Sequence, residues 1–149
     1  MEFKTIMGMR TKGTPDIAEL LRRIRELVEQ NNAKRLVIDS ITAFCRLIKD
    51  EAVMREFMND LADNMEILGC TSLLISEIPP GEITYSIYGV EEFISDGIIL
   101  LGELERKGDL LGTLQIIKMR GVEHPRSMQI LHIAQEGIRL MPMFEAYSK

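Results

Sequence analysis

Several residue types are scarce in this chain of 149 residues, and each scarcity excludes something. There is no tryptophan and only two histidines, and the two cysteines, Cys45 and Cys70, stand far apart in sequence. Two His and two Cys at such spacing do not make a structural zinc site. Each cysteine lies in an apolar context, which suits reduced core thiols in a cytosolic protein rather than a disulfide framework. No apolar run approaches the ~20 residues that span a bilayer, and Met1-Glu2-Phe3-Lys4 lacks the continuous apolar core of a signal peptide. Positive charge is also short: 18 basic against 23 acidic residues give a net charge of −5. A broad basic field is therefore missing, and nucleic acid is not an expected partner.

What is present is globular. Hydrophobic residues are 46% and charged residues 28%, which excludes a disordered chain, and the length suits one domain, residues 1–149. Charge is uneven: residues 51–100 hold one basic and ten acidic groups. That stretch reads first as a solvated helix face, with cation binding or a basic partner as the alternative.

Phe3 to Met7 alternates weakly and suggests a strand, followed by a loop from Gly8 to Gly13. Thr14 then reads as a helix N-cap, with Pro15 and Asp16 in the first turn. Ile17, Leu20, Leu21, Ile24, Leu27 and Val28 follow the helical spacing, and Asn31-Asn32 end the element. Leu36-Val37-Ile38 is a short apolar run that suits a strand buried on both faces of a parallel sheet. A second helix is expected from about Asp50 to Leu68, with Val53, Phe57, Leu61, Met65 and Leu68 inward and Gly69 closing it. Thr71 to Ser76 is the next buried strand, closed by Glu77-Ile78-Pro79-Pro80-Gly81. The order β-α-β-α-β indicates an α/β fold. Beyond it, Gly97–Leu101, Thr113–Met119, Met128–Ala134 and Ile138–Leu140, with turn signals at Lys107-Gly108-Asp109 and Gln135-Glu136-Gly137, predict antiparallel hairpins.

Chemistry can be placed at four points. Asp39-Ser40 closes an apolar strand as a Walker B motif does, and a carboxylate there can hold Mg²⁺; it can equally cap the next turn. Glu77 ends the following strand in the same way and could polarise a water, or be a plain exposed carboxylate. Gly8 to Gly13 has the glycine spacing of a phosphate loop, but Thr14-Pro15 stands where Lys-Ser/Thr is required, so an ordinary loop and cap is the better reading. Lys118 and Arg120 end a strand two residues apart before Gly121. Such a pair can clamp a phosphate or serve a neighbouring subunit's nucleotide, or simply balance acidic charge.

Four stretches together resemble the KaiC-like branch of the RecA superfamily of ATPases. They are Leu36-Val37-Ile38-Asp39-Ser40-Ile41, Thr71 through Glu77, Gly89 through Leu101, and Lys118-Met119-Arg120-Gly121 with His124 three residues on. The similarity covers about residues 3–141 and implies a three-layer, RecA-like (P-loop NTPase type) α/β sheet, truncated on its N-terminal side, with antiparallel hairpins at the C-terminal side. It implies ATP and Mg²⁺ as cofactors, Asp39 as the Walker B carboxylate, and Ser40 as its usual neighbour. Lys118 and Arg120 correspond to residues that act in trans on an adjacent subunit's nucleotide, and His124 to a position near that nucleotide.

The departures are as informative. The family's Walker A loop and its paired catalytic glutamates would lie before residue 1. Glu92-Phe93 stands where clock members carry a phosphorylated Ser-Thr pair. The resemblance thus implies a non-phosphorylating, cytoplasmic module without independent ATP hydrolysis, in a homo-oligomer or with a KaiC-like partner subunit. A scaffold that kept the fold, and a piece of a full ATPase with its Walker A upstream, remain the alternatives.

Overall fold

The computed structural model describes residues 16–79 and 84–143. The expected strand Phe3–Met7, the glycine loop, Thr14, Pro15 and Pro80-Gly81 lie outside them. The chain forms two compact units that divide between Ile94 and Ser95.

In the first unit, helix α1 spans Ile17–Gln30. Its N-cap is Asp16, not Thr14: the Asp16 carboxylate accepts the Glu19 N–H at 3.2 Å. Asp caps better than Thr, and the carboxylate also favours the positive end of the helix dipole. Glu19 gathers Arg22 and Arg23 on the outer face, and the Arg22 guanidinium holds its carboxyl below the ordinary range. The apolar stripe turns inward as its spacing requires, with Leu20 and Val28 buried and Ile17, Leu21 and Ile24 packed against the core.

Strand β1, Arg35–Asp39, pairs in parallel with β2, Thr71–Ile75, so that Asp39 lies opposite Ile75. Leu36, Ile38 and Leu74 join the helical core. On the other face Val37 and Leu73 remain 57% and 55% exposed. Burial on both faces, expected from the apolar runs, is thus realised on one, because the core cluster packs against only one face of the ladder. Between the strands, α2 (Ile41–Cys45) is a five-residue helix that periodicity could not reveal, and α3 covers Glu51–Ile67. Asp50 caps α3 by accepting the Ala52 and Val53 N–H groups at 2.8 and 3.1 Å. At its far end Gly69 takes φ +59°, the left-handed conformation in which glycine is favoured.

The inward face of α3 is Met54, Phe57, Met58, Leu61 and Met65, while Val53, expected inside, is 38% exposed. Phe57, Leu61 and Met65 are inside as expected, but the buried face is turned toward Met54 and Met58 and away from Val53, because methionines are as apolar as valine and adapt to irregular space. A single turn, α4 (Glu91–Ile94), completes the unit.

The second unit is a four-stranded antiparallel meander: β3 (Gly97–Arg106), β4 (Asp109–Met119), β5 (Gln129–Ala134) and β6 (Gly137–Pro142). Lys107 and Gly108 both have positive φ, +52° and +88°, as a two-residue hairpin turn that follows strand twist requires. Gly112 is fixed by contact: a Cβ there would sit 2.9 Å from the Leu131 carbonyl oxygen. No helix of the described residues is long and apolar enough to cross a membrane.

The rotated α3 face makes a measurable distinction. Phe57 is fully buried, so Phe57→Ala should cost about 3–5 kcal/mol in urea unfolding. Val53→Ala should cost under about 1 kcal/mol. Equal losses would restore Val53 to the core.

Candidate functional site

The carboxyl ends of two parallel strands, each followed by a polar turn, are where an open α/β sheet presents its chemistry. Here the register of β1 on β2 sets Asp39 beside Ile75, with Glu77 two residues beyond the end of β2. Asp39 is exposed, and its peptide to Ser40 is cis. Ser40 serves as the N-cap of α2 through its backbone: its carbonyl accepts the Ala43 N–H, while its hydroxyl caps nothing.

Thr42, the second residue of α2, is the residue that sequence reasoning missed. Its side chain is almost wholly buried, 2% exposed, and its hydroxyl accepts the Glu77 N–H at 3.0 Å. One bond therefore ties the helix that follows Asp39 to the chain that follows β2, fixing the two carboxylate-bearing turns to each other. Sequence alone carried no signal for it, because the bond spans 35 residues and depends on the β1–β2 register. The Glu77 carboxylate reaches toward Arg46 at 3.9 Å, with both side chains largely exposed, a contact worth little by itself.

Next to this pair a second polar knot forms below α4. The Ser86 hydroxyl donates to the Glu91 carboxylate and accepts the Gly89 N–H at 2.8 Å. Burial, then the Glu91 charge, pushes the Cys45 thiol up to about 11, and burial also raises the Tyr88 phenol. Cys45 and Cys70 are buried and unbridged.

The basic residues belong to the second unit. Lys118 and Arg120 close β4 where it faces the start of β3, and both turn to residues 95–96. The Lys118 ammonium donates to the Ser95 carbonyl at 2.7 Å. The Arg120 N–H donates to the Asp96 carbonyl at 2.7 Å, and its guanidinium meets the Asp96 carboxylate at 3.2 Å. His124 follows in the loop; its Nδ1 donates to the Val122 carbonyl at 3.2 Å, which makes Nε2 the acceptor nitrogen of the neutral ring. That nitrogen is shielded from solvent and has no hydrogen-bond partner among the described residues. The candidates thus form two sets, Asp39, Ser40 and Glu77 in one unit and Lys118, Arg120 and His124 in the other.

Among the described residues no three His, Cys, Asp or Glu converge as a metal site. Asp39 would therefore offer Mg²⁺ a single carboxylate, which suits an ion that is commonly held by one or two carboxylates together with substrate phosphates. A recess of about 580 Å³ opens between α1 and α3, lined by Leu21, Arg25, Val53, Glu56 and Asp60 among others. None of the candidate site residues lines it, so it is a cleft between helices rather than part of the site.

A family model described as "ATPase: KaiC" matches residues 2–145. Among curated relatives, a UPF0273 protein of Methanopyrus kandleri is 38% identical over 131 residues, 88% of this chain and 51% of its own length. The circadian clock oscillator protein KaiC of Synechococcus elongatus is 29% identical over 91% of this chain and 26% of its own. Among solved structures, a KaiC-like protein from the hyperthermophilic archaeon Pyrococcus horikoshii superposes with a TM-score of 0.75 at 35% identity, covering 85% of this chain and 57% of that one. The chain spans about half the length of the first two archaeal proteins and about a quarter of the clock protein.

Two outcomes test the geometry around Thr42 and Cys45. Thr42→Val leaves the Glu77 N–H without its acceptor and should cost about 1–3 kcal/mol in urea unfolding, whereas Thr42→Ser should retain most of the stability. A thiol that stays protonated in the fold stabilises the native state below the free-thiol range, near 9.0, and this is lost as pH rises toward about 11. Stability should therefore fall between those values in the wild type and fall less in Cys45→Ala, as measured by urea midpoints against pH.

Proposed function

The chain belongs to the KaiC family of ATPases, with a mixed α/β fold of RecA type, and from that premise we propose that it is a nucleotide-linked module that lends Lys118 and Arg120 to the ATP of an adjacent subunit. The observation that carries this reading is the joint seating of both cations on residues 95–96, at one strand end, within the unit that lacks Asp39. Two cations held at one strand end support the reading of a shared phosphate contact.

The roles divide by chemistry. Bound ATP would supply the transferable phosphoryl group, and Mg²⁺ would neutralise its charge. Asp39 would hold the Mg²⁺, and Glu77, tied to Thr42 by its N–H, would orient a water. In phosphoryl transfer the protein's main contribution is positioning and charge stabilisation, and an arginine offered in trans commonly supplies a large share. Ser40 shapes the turn beside Asp39, and His124 stiffens the loop after Arg120 through its bond to Val122.

These 149 residues contain no G-x-x-x-x-G-K-[ST], the loop that cradles the β- and γ-phosphates. As purified, the chain is therefore expected not to hydrolyse ATP and to act as a homo-oligomer or beside a KaiC-like partner subunit. A second reading, a scaffold without nucleotide chemistry, is favoured by the exposed apolar side chains Val37 and Leu73, which suit a protein contact. Cytoplasmic residence follows from the family's chemistry and forms part of the same reading.

One complementation experiment separates these readings. A full-length homologue whose own Lys/Arg pair is removed should regain ATP hydrolysis when this chain is added, by about 10³-fold if Arg120 acts as a trans arginine. Arg120→Ala should fail to restore it. Equal rescue by both chains would defeat the trans role. Turnover by the isolated chain that disappears in Asp39→Asn would defeat the claim of dependence on a neighbour.

A further inference from the structure

The two cations of the basic pair are held in different ways. Lys118 donates to a main-chain carbonyl, Ser95 O, in a partly buried bond of 2.7 Å that no side-chain change nearby removes. Arg120 is anchored by its main chain, N–H to Asp96 O at 2.7 Å, and its guanidinium meets Asp96 Oδ1 through Nη1 at 3.2 Å. Both side chains of that ion pair are open to water, Arg120 at 57% and Asp96 at 84%.

The register explains why these two meet. Gly97 pairs with Met119, so residues 96 and 120 are the next positions outward on β3 and β4, directly across from each other. A Cβ on Gly97 would lie 3.1 Å from Met119 Sδ, so the absence of a side chain at 97 lets Met119 lie close against β3, on the face opposite Lys118 and Arg120. The ladder thus delivers a carboxylate to the guanidinium without any search by a flexible loop. An exposed pair of this kind exchanges readily and is worth little to stability, but its charge stays in place when an anion arrives. A phosphate that takes the Arg120 fork in two parallel bonds must displace the Asp96 oxygen or sit beside it.

We propose that Asp96 is the resident counter-ion of Arg120 and sets how tightly the basic pair takes a phosphate group. Asp96 is a positioning residue: it touches Arg120 and not the phosphate, and it keeps an exposed arginine from capturing free polyanions before a subunit-bound triphosphate is presented. The inference rests on the reading of Arg120 as a phosphate contact.

The test uses the whole chain and inorganic tripolyphosphate as the probe, titrated at low ionic strength where exposed charges are least screened. Binding is followed by the Arg side-chain Nε–H resonances in ¹⁵N-correlated spectra. Asp96→Asn keeps the main-chain carbonyl that accepts the Arg120 N–H and should bind about two- to fivefold more tightly, the loss of one exposed charge pair. Asp96→Glu should return the affinity to the wild-type value. A merely structural Asp96 would instead weaken binding when replaced. Unchanged or weaker binding by Asp96→Asn, with Arg120→Ala still lowering affinity, overturns the counter-ion role and leaves the phosphate role of Arg120 intact. Binding that Arg120→Ala does not alter overturns both.

Discussion

The parallel ladder between β1 and β2 is the constraint on which the first unit depends. Its register brings the two polar strand ends to the same level, Asp39 opposite Ile75 and Glu77 just beyond. A shift by one residue would turn Ile38 and Leu74 away from the core and expose the wrong face. The helices follow from that choice. Leu20 and Val28 of α1 and the Phe57–Leu61–Met65 stripe of α3 cover the face that carries Ile38. The Thr42 hydroxyl then reaches Glu77 only because α2 begins directly after Asp39. Packing thus sets the ladder, and the ladder sets the carboxylates.

How much of this was legible depends on the kind of signal. Helix α3 and its start near Asp50 were readable because a seventeen-residue amphipathic element repeats its pattern several times. Its facing was right at Phe57, Leu61 and Met65 and missed at Val53, since Val53 and Met54 are both apolar and hydrophobicity alone does not choose between them. Helix α2 was invisible: five residues hold barely more than one turn, and Ile-Thr-Ala-Phe-Cys carries no period. Strand β3 runs on to Arg106, past the apolar segment, because Glu103 and Glu105 alternate with Leu104 on a sheet edge where carboxylates meet water. Such an extension reads as a loop in one dimension.

The candidate residues divide along the same line. Asp39, Glu77, Lys118 and Arg120 all end strands, and strand ends are marked in sequence by a change from apolar to polar. Thr42 and Asp96 were not marked in that way. Thr42 acts across 35 residues and Asp96 across 24, so each role exists only once register is known. Both serve other residues rather than a ligand, and a supporting residue carries little compositional signature of its own. The family resemblance singled out candidate residues at strand ends; the pairing found the residues that hydrogen-bond to them.

The tight turn at Lys107-Gly108 has a consequence for the order in which the molecule acquires its shape. Every pairing in the four-stranded sheet joins neighbours in the chain, β3 to β4, β4 to β5 and β5 to β6. Each closes a shorter stretch of chain than the β1–β2 ladder does, and the first closes around two residues, Lys107 and Gly108, that take positive φ. The β1–β2 ladder must instead bring Val37 to Leu73 across two helices, a far larger loss of chain entropy before any contact rewards it. By contact order, the strand ends that carry Lys118 and Arg120 belong to the kinetically local half of the protein. Those that carry Asp39 and Glu77 belong to the half that waits on a distant encounter.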